Sequence, residues 1–169
     1  MKKLVLLLAL TTVVSIGAFA ERPSGWGIGI MGQYGLSWDG FDASGGAALS
    51  LKAPQYPIYW GIQASFRNDY FRIGVTGDYY LIDQILISDV HFGWYIGIGG
   101  YAGLVASSGN LGVFAGARLP VGLYIMPVDT VPLEIFAEIA PTSGISINND
   151  GFNFPDGGLQ FGIGVRLWF

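Results

Sequence analysis

Leu159-Gln160-Phe161-Gly162-Ile163-Gly164-Val165-Arg166-Leu167-Trp168-Phe169 closes the sequence, and every odd-numbered position in it is apolar. The even-numbered positions hold Gln160, Gly162, Gly164, Arg166 and Trp168. A period of two puts alternate side chains on opposite faces of a β-strand. The segment therefore has one continuous apolar face and one face that is small, polar or charged. Arg166 is the informative residue, because the alternation fixes it opposite Leu159, Phe161, Ile163, Val165, Leu167 and Phe169.

Working back along the chain, seven further segments carry the same alternation: 25–36, 44–52, 57–67, 70–82, 88–105, 111–125 and 132–142, with 158–169 the eighth. The apolar columns are Trp26, Ile28, Ile30, Tyr34 and Leu36, then Ala47, Leu49 and Leu51, then Ile58, Trp60, Ile62, Ala64 and Phe66. They continue with Phe71, Ile73, Val75, Tyr79 and Leu81, and with Val90, Phe92, Trp94, Ile96 and Ile98. Leu111, Val113, Ala115, Ala117, Leu119 and Val121 form the next, followed by Leu133, Ile135, Ala137 and Ile139. With the phase set by these columns alone, Lys52, Arg67, Arg72, Asp78, His91, Arg118, Glu134, Glu138 and Arg166 all fall on the opposite face. A water-soluble barrel has apolar residues inside and charges outside; here the pattern is reversed.

Composition points the same way. The chain is 51% hydrophobic and 12% charged, with 27 glycines in 169 residues, against about 25% charged in an ordinary soluble domain. After residue 20 no apolar run reaches the roughly 18–20 residues of a membrane helix. A closed barrel is the remaining structure that satisfies every backbone group inside lipid. The expected fold is all-β: a closed eight-stranded antiparallel transmembrane β-barrel with up-and-down meander connections, spanning residues 21–169.

Residues 1–20 are expected to be a cleaved signal peptide. Lys2 and Lys3 precede an apolar run from Leu4 to Ile16, and Ala18-Phe19-Ala20 is a small-residue cleavage pattern. Removing Lys2 and Lys3 leaves six basic residues against 12 acidic. An acidic chain without a basic cluster argues against nucleic acid as a partner. There is no cysteine, so no disulfide contributes.

Segments 53–57, 83–87 and 126–131 read as turns at one end, on Pro54, Pro57, Pro127, Asp129 and Pro132. Segments 37–44, 68–70, 106–110 and 143–157 read as loops at the other, the last through Asn148-Asn149-Asp150-Gly151 and Pro155-Asp156-Gly157. Eight strands put both termini in the periplasm and the loops outside the cell, where 37–44 and 143–157 are candidates for an extracellular ligand. Trp26, Trp60, Tyr79 and Trp94 toward one end, and Phe66 and Phe71 toward the other, form the expected aromatic girdles.

The final strand, with its terminal Phe169, resembles the C-terminal β-signal read by the outer-membrane assembly machinery. Gly164, Leu167 and Phe169 fit that spacing. Gly162 departs from the polar residue usual at its start, and Leu167 is aliphatic where an aromatic is common. With the leader and the eight alternating segments, residues 21–169 resemble small barrels of the OmpX, OmpA-barrel and OmpW type, in architecture and not in close sequence. The resemblance implies an outer-membrane location, contact with outer-membrane lipid, and insertion by periplasmic chaperones and the barrel-assembly machinery.

Eight strands leave an interior that side chains can fill, and glycines here alternate with Tyr59, Tyr80, Tyr95, Phe114, Phe136 and Trp168. Three interior ion pairs are expected: Glu138–Arg118, Glu134–Arg166 and Asp78–His91. Lipid A palmitoyltransferases and deacylases also use eight-stranded barrels, but they need a His with a Ser and a carboxylate. His91 is the one histidine, and the position two residues on is Gly93. No enzymatic activity, catalytic residue, metal or cofactor is expected. The leading function is a structural, envelope-integrity or surface-interaction role. The alternative is a narrow channel for small, including hydrophobic, solutes, and a lipid A enzyme ranks third.

Overall fold

The computed structural model describes residues 22–38, 43–67, 70–107, 110–127, 131–149 and 151–169. The expected leader, and Asp129 and Asp150 of the expected turns and loops, lie outside the described residues. The described chain is all-β and antiparallel. Its strand segments are β1 (Gly27–Ser37), β2 (Ala43–Lys52), β3 (Ile58–Arg67), β4 (Tyr70–Ile87), β5 (Phe92–Ser107), β6 (Asn110–Arg118), β7 (Val121–Ile125), β8 (Leu133–Asn148) and β9 (Gly151–Trp168).

These segments form a ring of eight strands. Sequence neighbours pair from β1 to β5, and β8 pairs with β9. Between them, β6 and β7 share one position, each pairing with both β5 and β8. Pro120 separates the two halves because it has no N–H for the ladder. Its carbonyl still accepts from Gly97 N at 2.8 Å, and Leu119 N donates to Pro141 O at 3.1 Å. The alternation therefore runs through the break. The ring closes where β1 meets β9, Gly27 opposite Trp168 and Ile30 opposite Val165. Reciprocal backbone bonds between Trp26 and Phe169, at 3.0 and 2.8 Å, fasten the two ends.

Residues face as the alternation predicts. Ile30 is 63% exposed and Ile163 67%, and Leu49, Ile62, Ile73, Val75, Ile98 and Val113 also face outward. Glu134 is fully buried and Arg118 and Arg166 are each 2% exposed. The interior is thus charged and the outside apolar. Large side chains inside sit against glycines: a Cβ on Gly93 would lie 2.5 Å from Tyr124 Oη, and one on Gly122 would overlap the Tyr95 ring.

Four strand boundaries differ from expectation. The segment 83–87 is not a turn: β4 continues to Ile87, and the reversal is a single 3-10 turn at Ser88–Val90. Register shifts at Tyr80/Ile82 and Ile85/Ile87 mark bulges at Leu81 and Leu86, both pointing outward. A bulge adds one residue without ending the pairing, so the alternation changes phase and resembles a strand end. The second correction is His91, which caps this turn with φ 42° and precedes β5; it does not face the interior from a strand. Third, 143–157 is not a loop. β8 and β9 pair through Ser143–Gly157 and Gly144–Asp156, shift register between Gly144 and Ser146, and continue to Asn148–Gly151. Cross-strand pairing overrides the turn preferences of Pro155, Asp156 and Gly157. Likewise, the expected loop 106–110 narrows, with β5 reaching Ser107 and β6 starting at Asn110.

Candidate functional site

The interior is the candidate site, because the charged side chains of the described strands converge there. It is organised in tiers along the ring axis.

Nearest the chain termini, Arg166 on β9 makes a two-pronged bond to Glu134 on β8, with Nη1 at 2.9 Å from Oε1 and 3.0 Å from Oε2. Its Nη2 donates to Ser50 Oγ on β2 at 2.7 Å, reaching across β1. Trp168 Nε1 donates to Glu134 Oε2 at 2.8 Å. The Arg166 guanidinium also lies 4.7 Å from the Phe136 ring centroid and 4.9 Å from that of Tyr59. Two arms of the arginine are thus satisfied by polar groups and its faces by rings.

Mid-depth, Arg118 on β6 stands between two carboxylates. It bonds Glu138 on β8 through Nη2, and its Nη1 is 3.5 Å from Asp78 Oδ2 on β4. Tyr95 Oη donates to Glu138 Oε2 at 2.8 Å. At the loop end, Arg72 Nη2 contacts both oxygens of Asp156 at 3.1 and 3.2 Å. Beside this pair lies a cavity of about 380 Å³ lined by Gln33, Ser44, Gln63, Ser65, Tyr101 and Gln160, among others.

Of the three expected pairs, the structure brings together Glu134 with Arg166 and Glu138 with Arg118. It does not bring Asp78 to His91. Asp78 faces Gly99 in register and reaches Arg118, while His91 lies in the turn beyond β4. Lys52 sits at the rim, donating to the carbonyls of Ala53 and Tyr56, both at 2.7 Å. The Arg67 side chain, expected in the network, lies outside the described residues. On the outer face, Trp26, Trp60, Tyr79, Phe66 and Phe71 are exposed, Trp94 is half-buried, and Phe66 and Phe71 pair with ring centroids 5.0 Å apart. Leu167 and Phe169 point outward, and Gly164 faces the Phe136 ring.

The reading of alternation missed three charged residues of the interior, Arg22, Asp83 and Asp156. Arg22 precedes β1, and its side chain, 4% exposed, enters the terminal end of the ring. Its Nε lies 3.2 Å from Asp83 Oδ2 and its Nη2 3.6 Å from Glu134 Oε1. Asp83 falls in the expected turn 83–87, but the bulge at Leu81 changes the phase of β4 and turns it inward opposite Tyr95. No sequence signal marks Arg22, because it precedes β1 and the alternation gives it no phase.

Among the described residues, no group of three or more His, Asp or Glu side chains is placed to hold a metal. Comparison with protein-family models, with curated proteins and with solved structures gives no match for the chain.

Proposed function

We propose that this chain is an integral protein of a bacterial outer membrane, a closed eight-stranded transmembrane β-barrel whose filled interior gives it a structural, envelope-integrity role. The observation that carries this reading is the inverted distribution of side chains. Isoleucines, leucines and valines crowd the outside while Arg118, Glu134 and Arg166 are buried. Such a surface in water is a large exposed apolar patch of the kind that marks membrane or protein contact. In a bilayer it matches the hydrocarbon, and the closed ladder leaves no unpaired edge. Outer-membrane lipid is then the principal partner, with export by residues 1–20 and insertion by periplasmic chaperones and the barrel-assembly machinery. The end bearing Trp26 and Phe169 faces the periplasm, and the β8–β9 hairpin faces out.

The charge tiers support a lattice that stiffens the barrel and blocks conduction. The cavity beside Arg72 and Asp156 favours a second reading, a narrow path for small solutes. Single-channel recording of the protein in planar bilayers separates the two. The structural reading expects no steps above baseline and recovery of the protein in the outer-membrane fraction. Discrete conductance whose ion selectivity changes in Glu138→Ala establishes the pore reading. Recovery in a soluble fraction overturns both.

A further inference from the structure

The Arg22 guanidinium sits inside a cage of aromatic faces and carboxylates. Its central carbon lies 3.9 Å from the ring centroid of Tyr124, 4.8 Å from Tyr95, 5.2 Å from Tyr80 and 5.4 Å from Tyr59. Asp83 and Glu134 face its nitrogens at 3.2 and 3.6 Å. Rings attract a cation through their negative faces, and desolvation strengthens that attraction.

The walls and the occupant are held differently. Tyr59, Tyr80 and Tyr95 stand on β3, β4 and β5 as a stacked ladder, with centroids 4.1 and 4.2 Å apart and planes within 16° and 20°. Tyr95 is anchored to Glu138 and Glu134 to Arg166 and Trp168. These contacts do not involve Arg22. The occupant is carried on residues 22–26, which belong to no strand, and Pro23 follows it directly. Its backbone is bonded to the ring at Trp26, which exchanges hydrogen bonds with Phe169. The site is therefore built by the strands and filled by a tether.

We propose that this cage is a binding site for monoalkylguanidinium cations, occupied in cis by Arg22 and open to a free guanidinium ligand from the terminal end when that arm withdraws. The preference for guanidinium over a quaternary ammonium follows from the stacked rings, which call for a flat cation, and from the two carboxylates at 3.2 and 3.6 Å, which a flat cation approaches more closely than a quaternary one. The site does not depend on the ring lying in a membrane.

The test is the heat-denaturation midpoint of the protein in detergent micelles, wild type beside Arg22→Ala. A ligand that binds only the folded state raises the midpoint, and about 10 mM of a millimolar ligand is enough to read. Arg22→Ala is expected to melt several degrees lower. Methylguanidinium should restore at least half of that loss, while sodium and tetramethylammonium at the same concentration should not. Adding Asp83→Asn to Arg22→Ala should remove the rescue. Equal effects of methylguanidinium and sodium overturn the proposal, as does an Arg22→Ala midpoint that neither falls nor responds. Equal rescue by tetramethylammonium overturns the guanidinium assignment. If Arg22→Ala does not fold, Arg22→Gln, which keeps most of the apolar stem, is tested with the same outcomes.

Discussion

Trp168 Nε1 donates a 2.8 Å hydrogen bond to the carboxylate of Glu134, whose two oxygens both accept from Arg166 Nη1. One fully buried acid at the start of β8 thereby fixes two side chains near the end of β9. Through Arg166 it also reaches Ser50 on β2, on the far side of β1. The junction of first and last strands is thus held by side chains as well as by the backbone ladder.

Removing that acid leaves a buried arginine and a buried indole N–H without their acceptor. Breaking one side of a buried pair typically costs about 3–5 kcal/mol. Glu134→Ala should lose that much in denaturant-induced unfolding. Glu134→Gln keeps an acceptor for Trp168 and should lose less. Equal losses for the two variants would show that charge alone matters at this position.

The middle tier invites a different comparison. Among the described residues Arg118 is the cation paired with both Asp78 and Glu138, so Arg118→Met leaves two buried carboxylates without a counter-charge. A loss of about 3–5 kcal/mol is expected. Replacing all three, with Asp78→Leu and Glu138→Leu added, removes the desolvation cost of every charge. The triple variant should recover most of the loss in the same unfolding assay. A triple variant less stable than Arg118→Met would mean that the polar tier specifies the fold beyond its ion pairs.

Tight packing of large against small makes a third case. A Cβ on Gly122 would clash with Cζ and Oη of Tyr95, and overpacking a filled interior costs about 1–3 kcal/mol. Gly122→Ala should show that loss in wild type and little of it in a Tyr95→Ala background. Contacting residues couple, and the double-mutant cycle reads the coupling directly. Additive losses would place the strain elsewhere.

Facing was legible in the sequence because parity is a local property: one apolar column fixes the whole strand, and the interior positions of Arg118, Glu134, Glu138 and Arg166 follow from it. What parity cannot carry is a change of phase. The bulge at Leu81 hid Asp83 and made a strand look like a turn. The turn therefore moved to Ser88–Val90 and took His91 out of reach of Asp78. Pro155, Asp156 and Gly157 carry turn preferences that β8–β9 pairing outweighs. Arg22 lies on no strand and had no phase to read; only the tertiary gathering of four tyrosines with Asp83 and Glu134 gives it a place.

The membrane reading rests on the outer face and is tested there. Ile163 is 67% exposed at mid-strand in β9, opposite Gly32 and Ala137. If water bathes this face, Ile163→Lys is an ordinary surface change, within about 0.5 kcal/mol. If hydrocarbon covers it, a lysine near the midplane costs about 2–4 kcal/mol. Asn149→Lys, at the exposed tip beyond β8, is the matched control for added charge. Folding into lipid vesicles should show the larger loss for Ile163→Lys and almost none for Asn149→Lys. Equal, small effects of both variants would place the apolar face in water or against another protein, and the outer-membrane assignment would fall with it.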